Sequence, residues 1–122
     1  MNRPEQQLQR AVVEYLELVK PRCIWFHPPN GGARSKTEAA ILKGLGVKAG
    51  VADLIFLWKN GSGCIELKTT GKQLSKAQND FSEDCWIVGV NHAICFTVDQ
   101  VDHFMKKWGL IDPGRAKIEG KK

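Results

Sequence analysis

The sequence predicts an α/β protein in which a small mixed β-sheet is flanked by helices. Segments with helical apolar spacing alternate with short β-type runs, in the order helix, strand, helix, hairpin, helix, strand, helix. The central pair of runs, Val51–Trp58 and Cys64–Leu67, flanks Lys59-Asn60-Gly61-Ser62-Gly63. Asn-Gly between such runs is the strongest short-range hairpin signal, because both residues tolerate the positive φ of a type I′ turn. At 122 residues the chain is one domain able to bury a core. Residues 1–112 read as that domain, and 113–122 as a basic tail expected to be mobile.

Leu8, Val12, Tyr15, Leu16 and Val19 recur at helical spacing and predict an amphipathic helix over 4–19, with Asn2 as its cap and Pro21 as its stop. Cys23–Phe26 reads as a short strand. His27-Pro28-Pro29-Asn30-Gly31-Gly32 is a loop, since paired prolines and Gly-Gly exclude regular structure. Ser35 or Thr37 caps a second helix with Ala39, Ala40, Ile41, Leu42 and Leu45 on its apolar side, and Gly44, Gly46 and Gly50 break it. Beyond the hairpin, Thr69–Gln73 is a turn and Ser75 caps a helix from Lys76 to about Asp84. Two apolar runs come next, Trp86–Val90 and Ala93–Val98, of which the second is the better strand. Asp99 or Thr97 caps a closing helix, Val101–Trp108, with Val101, Phe104, Met105 and Trp108 as its buried stripe.

Composition narrows the class. Hydrophobic residues make up 43% and charged residues 25%, as in soluble globular proteins. No apolar stretch approaches the roughly 20 residues needed to span a bilayer, and the N-terminus lacks the apolar core of a signal peptide. An intracellular protein without a membrane partner is expected. The four cysteines show no C-x-x-C spacing and sit in or beside apolar runs, which favours buried free thiols. The net charge of +5 is concentrated in residues 30–48 and 113–122, each carrying +3. Two basic segments on a near-neutral body suit a polyanion such as nucleic acid.

Three charges interrupt the apolar hairpin: Asp53, Glu66 and Lys68. Glu66 and Lys68 are two apart, so on a strand they share a face. With Asn60-Gly61 as a two-residue loop, Asp53 falls opposite Lys68 and diagonal to Glu66, on that same face. A shift of one residue would turn Asp53 to the other side unless a bulge restored it. From the residues alone two readings stand. One is a hairpin with a solvated polar face and an ordinary Glu-Lys pair. The other is a hard-cation site, since two carboxylates offer oxygen ligands to Mg²⁺ or Mn²⁺ and a lysine beside them supplies a point charge for a phosphate oxygen.

Asp53, twelve intervening residues and then Glu66-Leu67-Lys68 resembles the D…ExK core of the PD-(D/E)XK nucleases. GVKAGVAD, IELK and LSKAQNDF together are similar to the VRR-NUC family of virus-type replication-repair nucleases, over roughly residues 5 to 98. The chain departs from the pattern at Ala52, where the family usually has proline. The resemblance implies a restriction-endonuclease-like fold. It also implies a metal site of Asp53, Glu66, the Leu67 carbonyl and a glutamate early in the first helix. That position matches Glu5 in PEQQLQ; Glu14 is the alternative, and the two lie about 180° apart on one helix. Gln78, in Ser-x-x-Gln, matches a glutamine that lies near the catalytic lysine in the family.

The activity this implies is hydrolysis of DNA phosphodiester bonds by an endonuclease. Asp53 and Glu66 would hold one or two Mg²⁺ or Mn²⁺ ions, with Lys68 and Gln78 completing the catalytic set. Asn30, Gly31, Arg34 and Lys36, with Lys48 and Lys72, are the candidate phosphate contacts, because glycines let backbone N–H groups approach an anion that basic side chains neutralise. Small stand-alone VRR-NUC proteins resemble Holliday-junction resolvases that act as homodimers, so branched DNA and a second copy are the implied partners. Two rivals remain: a nucleic-acid-binding module of the same fold with an idle metal site, and a structural domain with no DNA affinity.

Overall fold

The computed structural model describes residues 3–29 and 35–114. Asn30, Gly31 and Arg34, and the basic tail from Arg115 onward, lie outside the described residues. The elements are α1 (Arg3–Val19), β1 (Ile24–Phe26), α2 (Lys36–Gly44), β2 (Leu54–Trp58), β3 (Gly61–Leu67), α3 (Lys76–Val88), β4 (Asn91–Cys95) and α4 (Val98–Lys107). Their order is the one expected. The sheet runs β1-β2-β3-β4, antiparallel at the first two pairings and parallel between β3 and β4. No helix among the described residues is long and apolar enough to cross a membrane.

Strand alternation divides the sheet into two faces. Leu54, Phe56, Ile65, Leu67, Ala93 and Cys95 point to one side, where they pack with Val12, Tyr15, Leu16 and Val19 of α1 and Val101 and Met105 of α4. A second, smaller cluster of Ala52, Cys64 and Cys85, with Ile55 and Phe81 against it, forms where α3 covers the other side. Inside the first layer, Tyr15 donates its hydroxyl hydrogen to Asp102 at 2.6 Å, and Lys106 pairs with the same carboxylate at 2.8 Å. A buried carboxylate thus has both a hydrogen-bond donor and a counter-charge. The thiols are free as expected, and the Cys64 and Cys85 sulfurs lie 3.8 Å apart.

Helix ends follow local chemistry. Lys20 takes a left-handed φ of 51° and bonds back to Leu16, closing α1 before Pro21. Ser35 and Ser75 each form a reciprocal capping box, with Glu38 and Gln78 three residues on. Thr97, not Asp99, caps α4. Trp86–Val88 belongs to α3, which runs to the left-handed Gly89. That last turn faces water, so its apolar residues gave no helical stripe to read.

The hairpin differs from its expected register. The loop is Lys59-Asn60, Trp58 pairs with Gly61, and Leu54 pairs with Ile65. Asn60 takes a positive φ of 68°, while Gly61 joins the strand with no positive φ, so the type I′ turn does not form. Trp58 explains this. Its indole lies where a side chain on Gly61 would be, and it stacks on Trp108 of the region after α4 with centroids 5.6 Å apart. Trp108 in turn crowds Gly63 and meets Phe56 edge-on. The aromatic cluster therefore draws Gly61 out of the turn. The displacement is two residues, so every side chain keeps its face, but Asp53 comes opposite Glu66 and not Lys68.

Candidate active site

Asp53 and Glu66 meet on the α3 face of the sheet. Asp53 immediately precedes β2, and its Oδ2 accepts the Leu67 N–H at 2.7 Å. The Asp53 backbone oxygen lies 2.7 Å from His27 Nδ1, which places the protonated nitrogen of that imidazole there. Glu66, on β3, is 3% exposed, and its Oε2 accepts a hydrogen bond from Gln78 Nε2 at 2.9 Å. The other end of the Gln78 amide closes the Ser75 capping box at 2.9 Å. Gly50 sets the approach to Asp53: at φ 80° its backbone packs against Ala77 and Gln78 at the start of α3. A side chain there would collide with the Ala77 carbonyl.

A buried carboxyl group and a half-buried one in contact cannot both ionise freely. Burial pushes Glu66 up to about 8, helped by the charge of Asp53 and a hydrogen bond between the two, while the Lys68 ammonium pulls the other way. Burial also raises Asp53, against the Leu67 N–H, the hydrogen bond to Glu66 and the nearby His27, all of which favour its anion. The shared proton accordingly rests on Glu66. Glu5 adds to the repulsion at both carboxyls, so the N-terminal turn of α1 lies within electrostatic reach of the pair. Glu14 is exposed and has no such effect. Of the two glutamates, Glu5 is the one beside the site.

Other expected residues divide between two regions. Lys68 and Lys72 line one cavity at the edge of the site. Lys48 lines a different one, between the segment after α2 and the face of α3, where it pairs with Asp84 at 3.5 Å. Its charge is thus offset by an acidic neighbour. Lys36 lies in the first turn of α2, a helix with no buried residue. Leu67 presents its N–H to Asp53, and the carbonyl of an extended residue leaves the strand on the same edge. His27, which from the sequence could sit near the site but as a lone histidine beside prolines reads as structural, is bound to the Asp53 backbone. Ile94 and Phe96 of the β4 segment escaped sequence reading: they share the site's face, and nothing signals this before the sheet is assembled.

The donor set fits a hard divalent cation held partly by water. Among the described residues no group of three or more His, Cys, Asp or Glu side chains could enclose a metal. Two carboxylates with open positions are what Mg²⁺, which keeps several waters, requires. With both carboxyls ionised the pair would carry more negative charge than one lysine offsets, and a bound cation would relieve it. One turn beyond Glu5 on the same helical face, Gln9 Oε1 is buried with no hydrogen-bond partner among the described residues, the kind of acceptor a bound water satisfies.

No family model matches the chain, and no curated protein matches it either. Among solved structures the chain is similar to a "VRR_NUC domain protein", at 24% identity, over 92% of this chain and 93% of that one, with a TM-score of 0.68. The four-stranded mixed sheet, its flanking helices and this near-complete superposition make the fold of the chain the restriction-endonuclease-like fold of a VRR-NUC domain.

Proposed function

We propose that this chain is a metal-dependent endonuclease that hydrolyses phosphodiester bonds in DNA. The observation that carries the reading is the meeting of Asp53 with Glu66 on one sheet face, with Lys68 two residues further along the same strand. Asp53, Glu66 and the Leu67 carbonyl would hold Mg²⁺ or Mn²⁺, with Glu5 contributing through a water or directly. When bound, such an ion polarises a phosphoryl oxygen and lowers the pKa of its water.

The protein's own groups divide the remaining work. The Leu67 N–H and His27 fix the Asp53 side chain and backbone, so that its free oxygen keeps one direction. Gln78 does the same for Glu66. Lys68 carries a positive charge to the rim, where it offsets charge building on a pentavalent phosphorus and orients the attacking water. The nuclease fold of the similar structure supports this assignment, as does the basic character of the chain. Branched DNA and action as a homodimer belong to the same proposal.

Incubation with a panel of linear, nicked, flapped and four-way DNAs in Mg²⁺ or Mn²⁺ tests the reading. Cleavage by wild type that is lost in Glu66→Gln is the expected result. If both proteins bind branched DNA alike and cut nothing with Mn²⁺, the fold is serving as a binding module. DNA affinity that ignores salt would remove nucleic acid altogether, because phosphate contacts release counterions and make affinity fall with log salt.

A further inference from the structure

The face that carries Asp53, Glu66 and Lys68 continues onto β4. β3 and β4 run parallel with Glu66 beside Ile94 and Leu67 beside Cys95, which sets Lys68 beside Phe96. Neighbours across a sheet share a face. Burial agrees: Ala93 and Cys95 are in the core, while Ile94 is 39% and Phe96 37% exposed. Those two side chains line, with Lys68, Lys72 and Asn79, an open cavity of about 330 Å³. One wall is apolar and partly aromatic, the rim holds two ammonium groups, and α3 contributes an amide. The backbone beneath it is tied on both strands, since Phe96 N–H donates to Gln100 Oε1 at 2.6 Å and Lys68 N–H to the Cys95 oxygen at 3.0 Å.

We propose that this cavity receives the base of an unpaired nucleotide next to the scissile phosphate, and that the preferred substrates are DNAs with an unpaired base beside the cut. A ligand for such a hollow needs a flat apolar face, a polar edge and an adjoining anion, and a nucleotide has all three. Phe96 offers the stacking surface, Ile94 the wall beside it, Asn79 a hydrogen-bonding group for the base edge and Lys72 a charge for the adjoining phosphate. A base inside a duplex has both faces covered and its edge paired, so only an extruded one can lie on Phe96. The proposal rests on reading Asp53 and Glu66 as a nuclease site, and its test separates the two.

Two duplexes are compared, identical except that one carries a single unpaired adenine and the other an abasic residue at the same position. With Mg²⁺ or Mn²⁺ the wild-type protein is expected to cut beside the adenine about tenfold faster than beside the abasic residue, the size of one base-aromatic stack. Phe96→Ala removes that difference and Phe96→Trp preserves it. In parallel, 2-aminopurine replaces the unpaired adenine and Ca²⁺ replaces Mg²⁺, and stacking is read as quenching that wild type produces and Phe96→Ala does not. Phe96→Leu keeps the apolar bulk without a ring face, so it stands in if the alanine variant does not fold. Equal cutting of both duplexes by wild type overturns the cavity proposal and leaves the nuclease reading intact. If neither duplex is cut, the panel of linear, nicked, flapped and four-way DNAs decides the nuclease reading and the fluorescence decides the cavity: quenching lost on removing the ring supports it, and fluorescence unchanged by wild type overturns it.

Discussion

A single side-chain amide joins Gln78 to both Glu66 and its own helix end. Nε2 donates to Glu66 Oε2 at 2.9 Å, and Oε1 accepts the Ser75 N–H at 2.9 Å. The start of α3 and the buried carboxylate are thereby held in fixed relation. Gln78→Glu keeps an acceptor for the capping box but replaces the donor facing Glu66 with a second acid. Metal-dependent cleavage is expected to fall ten- to a hundred-fold, the usual cost of losing a group that orients a metal ligand, and the metal-free melting temperature to fall as well, because a third acid is pressed on the carboxyl pair. Gln78→Ala loses both functions and should be less stable as well. Cleavage by Gln78→Glu at the wild-type rate would reduce Gln78 to a helix cap.

Stability should depend on pH through Glu66. Its folded pKa, about 8, lies above the ordinary value of 4.5, so the folded chain holds a proton that the unfolded chain has released. The stabilisation is complete below about 4.5 and is lost as pH rises through about 8, at most about 1.4 kcal/mol per pH unit for one proton. Metal-free wild type should therefore lose melting temperature from pH 5 to pH 8 relative to Glu66→Gln. Mn²⁺ should raise the wild-type value more at pH 8 than at pH 5, because fewer protons then compete for the carboxylate. Parallel curves for the two proteins would show that Glu66 does not titrate in this range.

Lys68 is half-buried at the rim, and its backbone N–H, not its side chain, ties it to β4. Lys68→Ala should leave the thermal melt within about 1 kcal/mol of wild type, as expected for a side chain outside the core. Cleavage should drop about a hundredfold or more, the cost of removing a preorganised charge from a transition state. A variant that cuts as fast as wild type would remove Lys68 from the mechanism.

Gly50 offers a contrast with Gly46. Both have positive φ, 80° and 97°, but a side chain at Gly46 would meet nothing, whereas one at Gly50 would press on Ala77 and approach Gln78 N to 2.9 Å. Gly46→Ala should cost about 1–2 kcal/mol from the left-handed backbone alone. Gly50→Ala should cost more and also reduce cleavage, because it displaces the residue that holds Glu66. Equal effects of the two substitutions on melting and on cleavage would show that the contact with α3 carries no weight.

The order of elements, the helix cap at Ser75, the stop at Pro21 and the common face of Glu66 and Lys68 were all legible along the chain, since each depends on residues within a turn or two of one another; the cap of α2 was narrowed to Ser35 or Thr37. Asp53 could be placed on the right face but not opposite the right partner. Register depended on Trp58 stacking on Trp108, fifty residues away, and on Gly61 giving that indole room. Local turn preference is too weak to outweigh aromatic packing against the core. The burial of Glu66 and the placing of Phe96 beside Lys68 likewise arise only when α3 and β4 close over β3, and the attachment of His27 to Asp53 only when β1 pairs with β2. Sequence determined which groups could do chemistry; packing between distant segments decided which of them meet, and how far water is kept from them.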